Sequence, residues 1–158
     1  MRQLLIVRHA HADAAGPDQA DRDRPLSALG RREAQAAGQW LAEHCGPIDA
    51  VLCSPAQRTL ATLEAVRAAV TVPASEPKPE IYDASPGDLI RLLDAVADAE
   101  RVLLVGHNPG LEELVALLTA GRSGDRRGLP PAGIVVIEIP VDAALEPGCG
   151  RVAAFWSP

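Results

Sequence analysis

The chain has 158 residues, a formal net charge of −6, 47% hydrophobic and 23% charged residues, and only 3% aromatics. That length suits one globular domain, residues 1–158, with a largely aliphatic core, and the acidic balance argues against unspecific binding to nucleic acid or anionic membrane. Cys45, Cys53 and Cys149 are odd in number and lack C-x-x-C spacing, against a disulfide framework or a zinc site and in keeping with a reducing cytosol.

In chain order, the segment Gln3 to Val7 contains an apolar run, Leu4 to Val7, too short for a signal-peptide core or a membrane span. It reads as a strand leading to Arg8-His9-Ala10. A loop rich in Asp, Gly and Pro follows from Asp13 to Arg24, then a helix over Ser27 to His44. Ala50 to Cys53 reads as a strand and Pro55 to Val70 as a helix. Pro86 to Ala97 carries a helical apolar stripe of Leu89, Ile90, Leu92, Leu93 and Val96. Arg101 to Val105 is a third strand, Pro109 to Ala120 a helix, and Gly121 to Pro131 a second surface loop. Ile134 to Ile139 and Val152 to Trp156 have no helix between them and read as a closing antiparallel hairpin. Alternation of strand and helix predicts an α/β fold with a mostly parallel central sheet.

Three strand-to-helix junctions carry the chemistry: Val7-Arg8-His9-Ala10, Cys53-Ser54-Pro55-Ala56-Gln57-Arg58 and Val105-Gly106-His107-Asn108-Pro109. Ligands bind at the carboxyl ends of strands in an open parallel sheet, so these junctions are expected along one rim. Ser54 reads as an N-cap, with Pro55 at the first helical position and Gln57 at capping-box spacing. Asn108 and Pro109 repeat the device. Arg58, in the first turn of its helix, can lean back toward the rim. Two arginines and two histidines gathered there would favour an anion. Lys78 is the only lysine, so nearly every cation is an arginine, which reflects either a preference for phosphate or carboxylate forks or a biased genome.

No G-x-x-x-x-G-K-[ST] loop is present, and no His, Cys, Asp or Glu set has convincing metal spacing. Imidazole is left as the nucleophile: in its neutral form it attacks phosphorus, while arginines stabilise the phosphoryl oxygens.

Leu4-Leu5-Ile6-Val7-Arg8-His9-Ala10, Arg24-Pro25-Leu26-Ser27, Ser54-Pro55-x-x-Arg58-x-x-x-Thr62 and Val105-Gly106-His107-Asn108 together resemble the histidine phosphatase superfamily, the phosphoglycerate mutase-like fold. The compact length and the Arg24-Pro25-Leu26-Ser27 segment resemble its small branch of SixA-type phosphohistidine phosphatases. The resemblance implies a three-layer α/β/α sandwich, with His9 as the nucleophile that forms a phosphohistidine intermediate. Arg8, Arg58 and His107 would line the phosphate pocket, and Arg24 and Asn108 would help bind substrate. Ala10 stands where the superfamily usually has glycine. Larger members take a proton donor from a later loop; Glu80 is the candidate here, its other reading being an exposed carboxylate at a strand end. An imidazole leaving group needs less acid help than an alkoxide, so the absence of a good acid would favour protein phosphohistidine as substrate.

The expectation is a cytoplasmic, metal-independent phosphatase without cofactor, acting on a phosphorylated protein, such as a histidine-phosphotransfer domain, or on a small phosphorylated molecule. A non-catalytic phosphate-binding module would not require the nucleophile, and a mutase would need shielding insertions that the chain lacks.

Overall fold

The computed structural model describes residues 2–122 and 128–158. Five strands, β1 (Arg2–Arg8), β2 (Ala50–Cys53), β3 (Arg101–Gly106), β4 (Ile134–Ile139) and β5 (Arg151–Trp156), form one sheet in the order β2-β3-β1-β4-β5. The helices are α1 (Ala28–His44), α2 (Gln57–Arg67), α3 (Pro86–Asp94) and α4 (Gly110–Ala120), with short 3-10 turns at Asp21–Asp23 and Pro79–Ile81.

Alternation along the strands divides the core. Leu5, Val7, Val51, Cys53, Leu103 and Val105 pack with Ala34, Ala37 and Leu41 of α1 and Leu63 and Val66 of α2. Their neighbours Leu4, Ile6, Leu52, Val102 and Leu104 face the other way, onto Leu89 and Leu93 of α3 and Leu111, Leu114 and Leu118 of α4. Strands buried on both faces need apolar residues at every position, and that is why these runs lack a polar alternation. The result is the expected three-layer α/β/α arrangement.

The sheet is parallel only across β2, β3 and β1. β4 runs antiparallel to β1 as well as to β5, so the closing hairpin is grafted onto the central strand. The expected loop from Gly121 to Pro131 falls partly on residues 123–127, outside those described. Among the described residues, no helix is long and apolar enough to cross a membrane, and the three cysteines are free.

Register brings the junctions level. Val7 pairs with Val105 and Arg8 with Gly106, while Cys53 also pairs with Val105. The chain past each strand end is then tied down. Ala10 N–H donates to Thr62 Oγ1 at 3.0 Å, and that hydroxyl donates to the Arg58 carbonyl, coupling the β1 exit to α2. Lys78 N–H donates to the Cys53 carbonyl, bringing the Pro79–Ile81 turn to the end of β2. Ala132 N–H donates to the His9 carbonyl from the segment before β4.

The start of α1 depends on a close approach. Ser27 caps the helix by accepting from Gly30 N–H, and the β1 exit crosses directly over Gly30. A Cβ there would lie 1.9 Å from the His11 carbonyl oxygen. Gly30→Ala should therefore displace the His11 backbone and destabilise the fold by about 1–3 kcal/mol, measured as a lower urea midpoint with unchanged slope.

Candidate active site

His9 lies one residue past β1, with its Nδ1 2.7 Å from the Ala10 carbonyl oxygen. A carbonyl only accepts, so Nδ1 carries the proton and the lone pair of the neutral ring resides on Nε2. Burial pushes the His9 pKa down to about 4 against that hydrogen bond, and the charges of Arg58, Arg8 and Arg24 lower it further. The His107 ring lies 5.3 Å from that of His9. Its pKa is pushed down to about 3, by burial first and then by His9 and Arg58. At neutral pH both imidazoles are uncharged.

Arg8 Nη1 donates to the Leu129 carbonyl at 3.0 Å. Arg58 returns from the first turn of α2 toward the rim, as its helical direction requires, and is 6% exposed. Its Nη1 donates to the Asp21 carbonyl at 2.8 Å and its Nη2 to Asp21 Oδ2 at 3.0 Å. Arg24 donates from Nε to the Asp13 carbonyl and from Nη1 to Asp21 Oδ1. Asp21, in the Asp21–Asp23 turn, thus joins the two arginines through one carboxylate. The Tyr82 hydroxyl also donates to Asp21 Oδ2. Tyr82 meets His107 edge-on at 5.4 Å between ring centroids, and Arg22 lies 5.3 Å from the centre of its ring. Hydrogen bonds from Tyr82, Arg24 and Arg58 hold the Asp21 carboxyl far below the usual carboxylate range.

Two expected helix caps take other roles. α2 begins at Gln57 with Ala56 as its N-cap and without a side-chain cap, so the Ser54–Gln57 capping box does not form. Ser54 is fully buried and its hydroxyl lies 2.7 Å from His107 Nε2; a ring partner of that quality outcompetes a cap. α4 begins at Gly110 with Pro109 as N-cap. Asn108 Nδ2 instead donates to the Leu129 carbonyl at 2.8 Å and to Glu112 Oε1, joining the β3 exit to the same carbonyl that holds Arg8.

The structure therefore gathers His9, Arg8, Arg24, Arg58, His107 and Asn108 on one rim. Glu80 lies in the neighbouring 3-10 turn, exposed and without a hydrogen bond or ion pair among the described residues. His11 is exposed and bonded to the Ser27 hydroxyl. Sequence reasoning missed Asp21 and Tyr82. The only signal for Asp21 was its place three residues before Arg24 in a loop of alternating charge.

The family model described as histidine phosphatase superfamily (branch 1) matches residues 4–89. The chain belongs to the histidine phosphatase superfamily. Within it the chain falls in the SixA-type branch. Phosphohistidine phosphatase SixA of Escherichia coli is 34% identical over 77% of this chain and 76% of its own length. An uncharacterized protein of Mycobacterium tuberculosis is 37% identical over 94% of this chain and 98% of its own. The solved structure of the protein histidine phosphatase SixA complexed with tungstate superposes with a TM-score of 0.84 at 28% identity, covering 98% of this chain and 96% of that one.

The buried imidazoles of this histidine phosphatase tie stability to pH. In the unfolded chain both titrate near 6.5 (about 6.5 for free histidine), whereas folded they stay neutral down to about 4 and about 3. Between those limits the unfolded chain binds more protons, so folding stability is full above pH 6.5 and declines as pH falls toward 4. The depressed Asp21 adds a separate loss in more acid solution, below the ordinary carboxylate value of 3.8. Urea midpoints measured from pH 7 to 4 should fall in the wild type and fall less steeply in His9→Gln.

Proposed function

We propose that this phosphatase removes the phosphoryl group from protein phosphohistidine, through a covalent phosphohistidine intermediate on His9, without a metal ion. One observation carries the reading: the Ala10 carbonyl fixes the His9 proton on Nδ1, leaving a neutral Nε2 nucleophile among Arg8, Arg24 and Arg58. Proton and lone pair are sorted before substrate arrives, and burial keeps the ring from protonating at neutral pH.

In the first step His9 Nε2 attacks phosphorus in line, the bond from phosphorus to the leaving atom breaks, and the leaving group departs on the opposite side. Arg8, Arg58 and His107 surround the phosphoryl oxygens, whose charge arginine forks suit best. In the second step water attacks the phosphorus on His9, the P–N bond breaks, and phosphate is released with the imidazole returned to its neutral form.

The substrate class follows from the leaving group. An alkoxide needs a proton from a well-placed acid. Asp21 is held ionised by its three donors, and Glu80 has no bond among the described residues that would aim it. An imidazole leaves with far less help. SixA relatives named for phosphohistidine, and one solved with tungstate, a tetrahedral oxyanion like phosphate, support the same reading. The partner is then a phosphorylated protein of the histidine-phosphotransfer kind. Asn108, with Arg24, belongs to the substrate-binding side of the pocket.

Mixing enzyme with a phosphohistidine protein and quenching in base should trap acid-labile phosphate on His9, and His9→Ala should trap none. Arg58→Ala should lower kcat/KM by about two to three orders of magnitude. Turnover should persist in EDTA and exceed that on alkyl phosphomonoesters. Turnover by His9→Ala at the wild-type rate would sink the mechanism, and loss of activity on chelation would sink the metal-free claim. The acid limb of kcat/KM should fall near pH 4, the value to which burial drives His9, because protonation of Nε2 removes the nucleophile.

A further inference from the structure

The arginines around His9 are not idle. Arg58 spends both terminal nitrogens on Asp21, one on its main-chain oxygen and one on its carboxylate. Arg24 spends Nη1 on the same carboxylate and Nε on the Asp13 carbonyl. What remains on Arg58 is Nε, buried and, like Arg8 Nε, without a partner among the described residues, together with the second hydrogen of each terminal nitrogen. A group that bridges two arginines and takes a phenol hydroxyl through two anionic oxygens does much of what a bound phosphoryl group would do.

We propose that Asp21 is an internal anion that a phosphoryl group must displace from Arg58 and Arg24, so that this one carboxylate sets the anion affinity of the site. The proposal rests on the phosphoryl pocket described above. It adds that the pocket, as folded, is already partly neutralised from within.

Exchange is feasible on the geometry. The Asp21 side chain is 52% exposed, against 8% for that of Arg58, so the carboxylate can turn into water while the guanidinium stays in place. Asp21 also sits in a three-residue turn whose backbone-to-backbone hydrogen bonds are short-range, Asp23 N–H to the Ala20 carbonyl and Arg24 N–H to the Asp21 carbonyl, its long-range ties being the bonds from Arg58 and Tyr82. Little of the fold is disturbed when it moves. The incoming dianion replaces a monoanion on the same arginines, and charge-assisted bonds to two forks favour the more highly charged group. The same arrangement aids turnover, because the displaced carboxylate returns to compete with product phosphate. Tyr82 and Arg22 take part only as neighbours: the phenol donates to Asp21 and Arg22 lies over its ring.

Two measurements test this with inorganic phosphate as the probe. By calorimetry, Asp21→Asn should bind phosphate about tenfold more tightly than the wild type, the size expected for removing one charged competitor, and should show correspondingly stronger product inhibition. Equal or weaker binding by a folded Asp21→Asn overturns the proposal, because a carboxylate that only buttresses Arg58 would weaken the site when neutralised. In the wild type, hydrogen exchange of the amides between Asp13 and Arg24 should accelerate at saturating phosphate. Unchanged exchange or protection there overturns it too, even if the variant does not fold. Tight phosphate binding together with a trapped intermediate on His9, but with neither effect, would leave the phosphatase reading standing and remove only the role given to Asp21.

Discussion

Parallel register across β2, β3 and β1 is the constraint from which the site follows. Val7, Val105 and Cys53 stand side by side, so the residues just beyond them, Arg8 and His9, Gly106 and His107, and Ser54, emerge at one level. Had either neighbour slipped by one residue, the alternation would have turned Leu4 and Ile6, or Leu5 and Val7, onto the wrong helix layer. Packing on both faces thus locks the register, and the register aligns the chemistry.

Holding two imidazoles and three arginines at that rim has an electrostatic cost, which the structure offsets in two ways. The imidazoles are buried until they are neutral, so neither adds to the positive charge. The arginines are met by oxygens of the protein itself: Leu129 for Arg8, Asp13 and Asp21 for Arg24, and Asp21 for Arg58. Three of these acceptors are main-chain carbonyls, of Leu129, Asp13 and Asp21, placed by the course of the backbone rather than by side-chain preference. An acidic protein therefore builds a local cationic site without exposing it.

Much of the site was legible in the chain. Arg8 and His9 after an apolar run, Arg58 in the first turn of a helix, and His107 after β3 are positions that strand ends and helical side-chain direction dictate. The misreadings share one cause. Ser54 and Asn108 have the residue types and spacing of helix caps, but each had a competing partner from another part of the chain, His107 for Ser54 and Leu129 for Asn108. Local rules weigh only neighbours in sequence. Likewise Thr62 read as one letter of a helix motif, and its work of tying Ala10 to α2 depends on a partner 52 positions away in the chain.

The sequence by itself determined the elements and the histidines and arginines that gather at the strand ends, because apolar periodicity and strand-end chemistry are local properties. Only the tertiary structure decided the protonation and pairing within that company: that His9 carries its proton on Nδ1, that Ser54 serves a histidine instead of a helix, and that Asp21 and Tyr82 belong to the rim at all. Those outcomes rest on burial and on contacts between segments far apart in the chain, whose free energies depend on distance and desolvation. Neither quantity can be read from the order of residues.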